Sequence, residues 1–209
     1  MEKGVTAAYL RSVFNGKRVF LTGHTGFKGS WMLQILHSLG AQVKGYSLAP
    51  EKTNDLFNQV DGSNLCYSSV IADICDRQKL QTEIVRFEPH FIFHFAAQVA
   101  VTTSLDNPID DFDVNARGTL NLLEAMRSLD EPPPLIFTST NKVYGEMSDV
   151  ALRVHDGRYQ PEDEQLREHG FNEERCVHFH SPYGCSKGCA EQYVLDYART
   201  FGMRTAVFR

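Results

Sequence analysis

Tyr183 and Lys187 stand four residues apart, so a helix running through them carries a phenol and an ammonium on one face. A phenol ionises near pH ~10 and is a poor base at neutrality. A cation ~4 Å away, at an effective dielectric of ~20, contributes about 4 kcal/mol, equivalent to roughly three pKa units. The pair therefore suits general acid or base work in hydroxyl oxidation and carbonyl reduction. Tyr-x-x-x-Lys is common on helix surfaces, so it needs a further group to mean anything. Thr140, in Ser139-Thr-Asn-Lys-Val-Tyr-Gly145, supplies a hydroxyl at a strand end. It can polarise the same substrate oxygen, or simply bond local backbone.

The second constellation is Gly23-His-Thr-Gly26-Phe-Lys-Gly29. Glycines at this spacing, between a strand and a helix, let the chain turn tightly and approach a pyrophosphate without a Cβ in the way. The N–H groups and dipole at the start of the next helix then favour the phosphates. Gly23, Thr25, Gly26, Phe27 and Gly29 are the candidate contacts. The acid expected about 20 residues further on is missing from Gly45-Tyr-Ser-Leu-Ala-Pro50. Ser47 could bond a ribose hydroxyl there, whereas Lys52 could favour a 2′-phosphate, which leaves NAD and NADP both open. Asp73 either accepts from an adenine amino group or caps the next helix.

The elements that must hold these groups follow from the apolar pattern. Strands are expected at 17–22, 42–46, 67–72, 91–97, 135–139 and 205–209, and helices at 30–39, 76–87, 115–129 and 182–201. Alternating strands and helices imply an α/β fold, a doubly wound parallel sheet of the Rossmann kind. The expected division is an N-terminal extension at 1–16 and a dinucleotide-binding domain at 17–209, with a long irregular insertion at 145–181. An insertion that long is usually functional or mobile.

Composition narrows the partners. The chain has 209 residues, a net charge of −5 and 42% hydrophobic residues, as an ordinary globular chain does. Nothing basic enough for a nucleic-acid partner is present, and no apolar run approaches the ~20 residues of a membrane span. The first residues hold no apolar signal-peptide core. Five cysteines without a disulfide-framework spacing fit free thiols in a reducing cytoplasm. Cys176, His178, His180, Cys185 and Cys189 do not match a metal-ligand spacing, so no metal is expected. His24 reads as an exposed loop residue and His94 as a satisfied core histidine.

Taken together, these residues resemble the extended short-chain dehydrogenase/reductase family, which acts on nucleotide sugars. The likeness rests on 22–30, Asp73-Ile74, His94 to Gln98, Asn115, Ser139-Thr140 and Tyr183 with Lys187, and covers nearly the whole chain. It implies Thr140, Tyr183 and Lys187 as catalytic trio, with Tyr183 and Lys187 also touching the cofactor. It places Asp73 and Ile74 along the adenine, and Ala96, Ala97 and Gln98 beside the middle of an NAD. Thr102, Ser104, Asn141 and Lys142 lie in segments that carry the likeness and are the implied contacts to the nucleotide-sugar substrate. A homo-oligomer, dimer or tetramer, is implied as well; the 115–129 and 182–201 helices could build it or simply cover the sheet.

Two branches of the family compete. The opening, Asn15 to Trp31 with Val43 to Tyr46, resembles CDP-glucose 4,6-dehydratases. Ala97 to Pro108, Ser139 to Gly145 and His180 to Gly188 resemble CDP-tyvelose (CDP-paratose) 2-epimerases. Many 4,6-dehydratases follow the catalytic Thr with an Asp-Glu pair that expels water. Asn141 and Lys142 stand here instead, which disfavours dehydration and leaves 2-epimerisation in front. Family members continue beyond the sixth strand into a lobe that grips the substrate. With Arg209 as the last residue, that lobe is expected to be absent, and a non-catalytic dinucleotide-binding module is the alternative.

Overall fold

The expected apolar runs build one sheet. The strands are β1 (Arg18–Thr22), β2 (Gln42–Ser47), β3 (Ser68–Ile71), β4 (Phe91–His94), β5 (Leu135–Thr138), β6 (Leu152–His155), β7 (Arg158–Pro161) and β8 (Thr205–Phe208). This computed structural model describes residues 5–209. Six strands pair in the order β3-β2-β1-β4-β5-β8, every pairing parallel, while β6 and β7 form a separate antiparallel hairpin. All six carboxyl ends therefore lie along one edge. The order reverses between β1 and β4, the position where sheets of this kind open a ligand crevice.

Among the described residues there are ten α-helices, one before β1 and the others between strands: α1 (Ala7–Phe14), α2 (Phe27–Ser38), α3 (Leu56–Gln59), α4 (Gly62–Leu65), α5 (Arg77–Phe87), α6 (Val101–Asp106), α7 (Pro108–Phe112), α8 (Gly118–Arg127), α9 (Glu164–His169) and α10 (Ser181–Phe201). Successive residues of β1 face opposite ways, as a strand requires. Phe20 joins a core with Leu80 and Ile84 of α5, Leu122 and Met126 of α8, and Val194 of α10. Val19 and Leu21 join the other, with Leu33 and Leu36 of α2. Both faces are thus covered, as a parallel sheet needs. The helices at 115–129 and 182–201, considered as a possible oligomer contact, do cover the sheet.

Several expectations change. Residues 1–16 contain α1, started by Thr6, whose hydroxyl accepts the Tyr9 amide; residues 1–4 lie outside the described residues. The middle of the 145–181 segment is regular, folding as the β6–β7 hairpin and α9, both largely exposed, while residues 145–151 and 170–180 are irregular as expected. β4 stops at His94 rather than running to Ala97: the Phe95 amide is shared between the Thr22 carbonyl and the Thr22 hydroxyl, and the Ala96 amide turns out of the ladder to that hydroxyl. The helix expected from Asn115 begins as a π-helical turn at Asp113–Arg117 before α8. Such turns insert a residue and re-aim side chains, often beside a site. Helices α6 and α7 were not foreseen.

Candidate active site

The glycine turn divides its work among three residues. Gly23 has φ +72°, and a Cβ there would lie 2.6 Å from the Ala96 nitrogen. A Cβ on Gly29 would fall 2.0 Å from the Gly23 carbonyl oxygen. Both positions are closed by the chain itself. At Gly26 the nearest atom to a Cβ is the Gly23 oxygen at 3.4 Å, an ordinary contact, and the residue is exposed. Gly26 also precedes α2 with no side chain capping its first N–H groups. An open backbone at an uncapped helix start is a cradle for a phosphate. Phe27 stands beside it, 71% exposed.

Around this cradle the hydroxyls are committed. Thr25 Oγ1 lies 2.8 Å from Ser47 Oγ and donates to the Leu48 carbonyl at 2.8 Å, pinning the turn to the end of β2. Lys52 is exposed in the loop beyond. Asp73, also exposed, accepts the Cys75 amide through Oδ1 at 2.8 Å. The next helix is capped instead by Asp76, which accepts from Lys79. The Ile74 side chain turns inward and packs where a Cβ of Gly118 would be. His24 is not an exposed loop residue. It is buried against Phe57, Nε2 bonds Ser69 Oγ at 2.8 Å, and burial pulls its pKa down to about 4.

The loop after β4 hangs on a buried relay. Thr22 Oγ1 accepts the amides of Phe95 and Ala96 at 3.1 Å each, so its proton goes to His94 Nδ1 at 2.6 Å. His94 Nε2–H then donates to Thr119 Oγ1 at 3.0 Å, and Thr119 donates to the Asn115 carbonyl at 2.6 Å. This order of donors fixes a neutral His94 protonated on Nε2. Burial, reinforced by the Lys187 charge, holds its pKa at about 3. Asn115 returns the tie: its amide oxygen accepts Gln98 N at 3.0 Å, and its Nδ2 reaches Asp111 and Ser186, each at 3.1 Å. Ala96, Ala97 and Gln98 are thereby held half-buried at the crevice.

The residues expected to form the catalytic trio lie just beyond β5 and on α10. Lys187 is 3% exposed; its Nζ donates to the Thr138 carbonyl at 2.7 Å and lies 4.2 Å from the Phe137 ring centre. Burial lowers its pKa to about 7, against the opposing pull of Glu191. Thr140 begins a 3-10 turn at Asn141–Tyr144 and accepts the Lys142 amide at 3.2 Å, which leaves its own proton free to donate. Gly184 sits against the Lys142 carbonyl, so this turn meets the first turn of α10, where Tyr183 stands half-buried. Asn141 and Lys142 are exposed at the same end.

The four implied substrate contacts are not equivalent. Thr102 is exposed on α6, but Ser104 is fully buried. Its hydroxyl donates to Val101 and accepts the Tyr183 amide at 3.2 Å, so it fastens α6 to α10 instead of facing a crevice. A cavity of about 880 Å³ is lined by Tyr144, Glu146, Phe171, Arg175 and His178, so the 145–181 segment walls space beside the Asn141–Tyr144 turn. The fully buried Glu191 pairs with Arg209 at 2.6 Å, and neither had been singled out. The signal was present: Glu191 follows Lys187 by four residues, one turn along the same face.

With this geometry in place, the profile of the NAD dependent epimerase/dehydratase family matches residues 19–209. The chain belongs to that family. It is 40% identical over 194 residues to CDP-paratose 2-epimerase of Salmonella typhi, covering 92% of this chain and 56% of the relative. It is 35% identical over 191 residues to CDP-glucose 4,6-dehydratase of Salmonella typhimurium, covering 91% and 48%. The crystal structure of Thermus thermophilus UDP-glucose 4-epimerase in complex with NAD superposes with a TM-score of 0.71 at 28% identity, covering 92% of this chain and 54% of that one. The chain thus spans about half the length of these relatives. Family membership accounts for the six-stranded sheet and the glycine turn at its switch point. Among the described residues, no three His, Cys, Asp or Glu side chains are grouped to hold a metal ion, and no helix is long and apolar enough to cross a membrane.

Proposed function

We propose that this chain is the NAD-binding half of a nucleotide-sugar-modifying enzyme, and that its reaction is 2-epimerisation of a CDP-deoxyhexose of the paratose/tyvelose kind. The observation that carries the reading is the meeting of three parts at one sheet edge: the open Gly26 cradle, the Thr140 turn and the Tyr183–Lys187 face of α10. The residues present fit a dinucleotide. Gly26 and the α2 N-terminus would hold the pyrophosphate, Asp73 the adenine, Ser47 a ribose hydroxyl, and Lys187 and Tyr183 the nicotinamide end. NADP remains the alternative through Lys52. When bound, NAD supplies a reversible hydride acceptor.

The chain's own part is proton handling and orientation. Thr140 donates a hydrogen bond to the reacting oxygen of the sugar. Tyr183 takes the proton from that oxygen and later restores it. Lys187 supplies the positive charge beside them, in a site where burial strengthens every electrostatic interaction. Asn141 and Lys142 stand where many 4,6-dehydratases carry an Asp-Glu pair, which supports epimerisation over 4,6-dehydration, since Asn141 cannot donate the proton that expels water. The dehydratase reading keeps one specific support, the 35% identity to CDP-glucose 4,6-dehydratase.

A homo-oligomer and a cytoplasmic setting belong to the same proposal; the exposed apolar residues Leu105, Ile109 and Phe112 on α6 and α7 support the first. The test is cofactor fluorescence combined with turnover of CDP-paratose and CDP-glucose. Bound NAD with conversion of CDP-paratose is expected. Conversion of CDP-glucose alone would establish dehydration, and bound NAD with neither conversion would leave a dinucleotide-binding module.

A further inference from the structure

Glu191 is completely buried on α10, one helical turn beyond Lys187, and every part of its carboxylate is engaged. Oε2 accepts the Ser139 hydroxyl at 2.6 Å. Oε1 accepts Arg209 Nε at 3.0 Å and Nη2 at 2.6 Å, and Arg209 Nη1 continues to the Tyr144 hydroxyl at 3.0 Å. A charge this deep is costly unless its hydrogen bonds are complete, and here they are. The contacts bracket the reacting turn, because Ser139 precedes Thr140 and Tyr144 closes the turn that Thr140 opens.

We propose that Glu191 is a positioning residue with two joined tasks: it locks the Ser139–Tyr144 turn onto α10, and its negative charge, one helical turn away, favours the ammonium form of the buried Lys187 amine. This rests on the reading of Lys187 as the charged partner of Tyr183. A neutral amine in that place would not supply the field the proton transfer uses. The groups that face Lys187 are few. Lys28 of α2 opposes its charge, Asp111 of α7 favours it, and His94 of β4 is held neutral by its own hydrogen bonds. Glu191 is the strongest of the favouring groups.

Glu191→Gln separates charge from packing. A glutamine oxygen can accept both Arg209 donors, while its amide donates to Ser139, whose hydroxyl reverses from donor to acceptor. The experiment follows the Lys187 amine by NMR of the protein labelled at lysine Cε, with the resonance assigned by its loss in Lys187→Arg. In the wild-type chain it is expected to titrate at about pH 7. In E191Q the midpoint is expected to fall by about one unit, a tenfold loss of proton affinity. Ser139→Ala, which keeps the charge, should leave the midpoint in place. An unchanged or higher midpoint in folded E191Q would overturn the proposal. Should E191Q not fold, the double variant Glu191→Met with Arg209→Met removes the buried carboxylate together with its partner, an exchange that buried ion pairs often tolerate; the Lys187 midpoint must again fall, and a fixed or higher midpoint would equally overturn the idea. None of these readings depends on turnover, so a failed catalytic assay with normal Lys187 titrations would count against the Tyr183 chemistry and not against Glu191.

Discussion

At the residue scale, the account turns on which groups are free and which are spent. Thr140 keeps a proton to donate after accepting from Lys142, whereas Ser104 has both its functions taken by Val101 and Tyr183. Tyr183 is the one proposed acid or base among them. Tyr183→Phe removes a hydroxyl from a half-buried ring and little packing, so turnover is expected to fall about 10²–10⁴-fold while NAD affinity and melting temperature stay unchanged. Steady-state kinetics with cofactor fluorescence on the same sample checks this; retained turnover would take Tyr183 out of the chemistry.

At the element scale, the crevice is shaped by the loop after β4, and that loop is held by side chains more than by ladder bonds. Thr22→Val keeps the shape of the residue but deprives the Ala96 amide and His94 Nδ1 of a partner, and leaves the Phe95 amide only the Thr22 carbonyl. Unmade buried hydrogen bonds of this kind cost about 1–3 kcal/mol. Urea denaturation should show a loss in that range, and hydrogen exchange should speed up at 95–98. Unaltered exchange there would mean that the relay is not what holds the loop.

The same element shows what a sequence can and cannot disclose. The six sheet strands and the helices α2, α5, α8 and α10 were legible because continuous apolar runs and helical periodicity report burial directly. The end of β4 was not, since Phe95 to Ala97 are as apolar as the strand before them and only the Thr22 hydroxyl turns them aside. His24 misled for a related reason: a histidine among glycines looks exposed until a neighbouring element, here α3 with Phe57, closes over it. The β6–β7 hairpin was hidden because its residues are largely exposed and carry no burial pattern. Thr140, Tyr183 and Lys187 could be named from spacing and resemblance, but the buried partners Asp111, Ser186 and Glu191 come from packing between distant elements.

At the scale of the whole molecule, two neutral histidines set the response to acid. His24 and His94 have folded pKa values of about 4 and about 3, below the ordinary 6.5. Above pH ~6.5 neither state binds the proton; below it, only the unfolded chain does, so stability falls as the pH drops through this window. At pH 5 each histidine accounts for about 2 kcal/mol relative to pH 7. Guanidinium denaturation at the two values should therefore show a clear loss, and a flat profile would contradict the buried, neutral assignment.

Binding of NAD to the wild-type chain and to Gly26→Val, compared by calorimetry, bears most directly on the whole account. Gly26 is exposed and a Cβ there meets no close neighbour, so the folded chain should accept the larger residue with little change in melting temperature. The dinucleotide, by contrast, should lose its approach to the backbone. The expected result is measurable NAD binding by the wild type and at least a hundredfold weaker binding by the variant, about 2.7 kcal/mol. Equal affinity in the two proteins would mean that the cofactor does not lie over this turn.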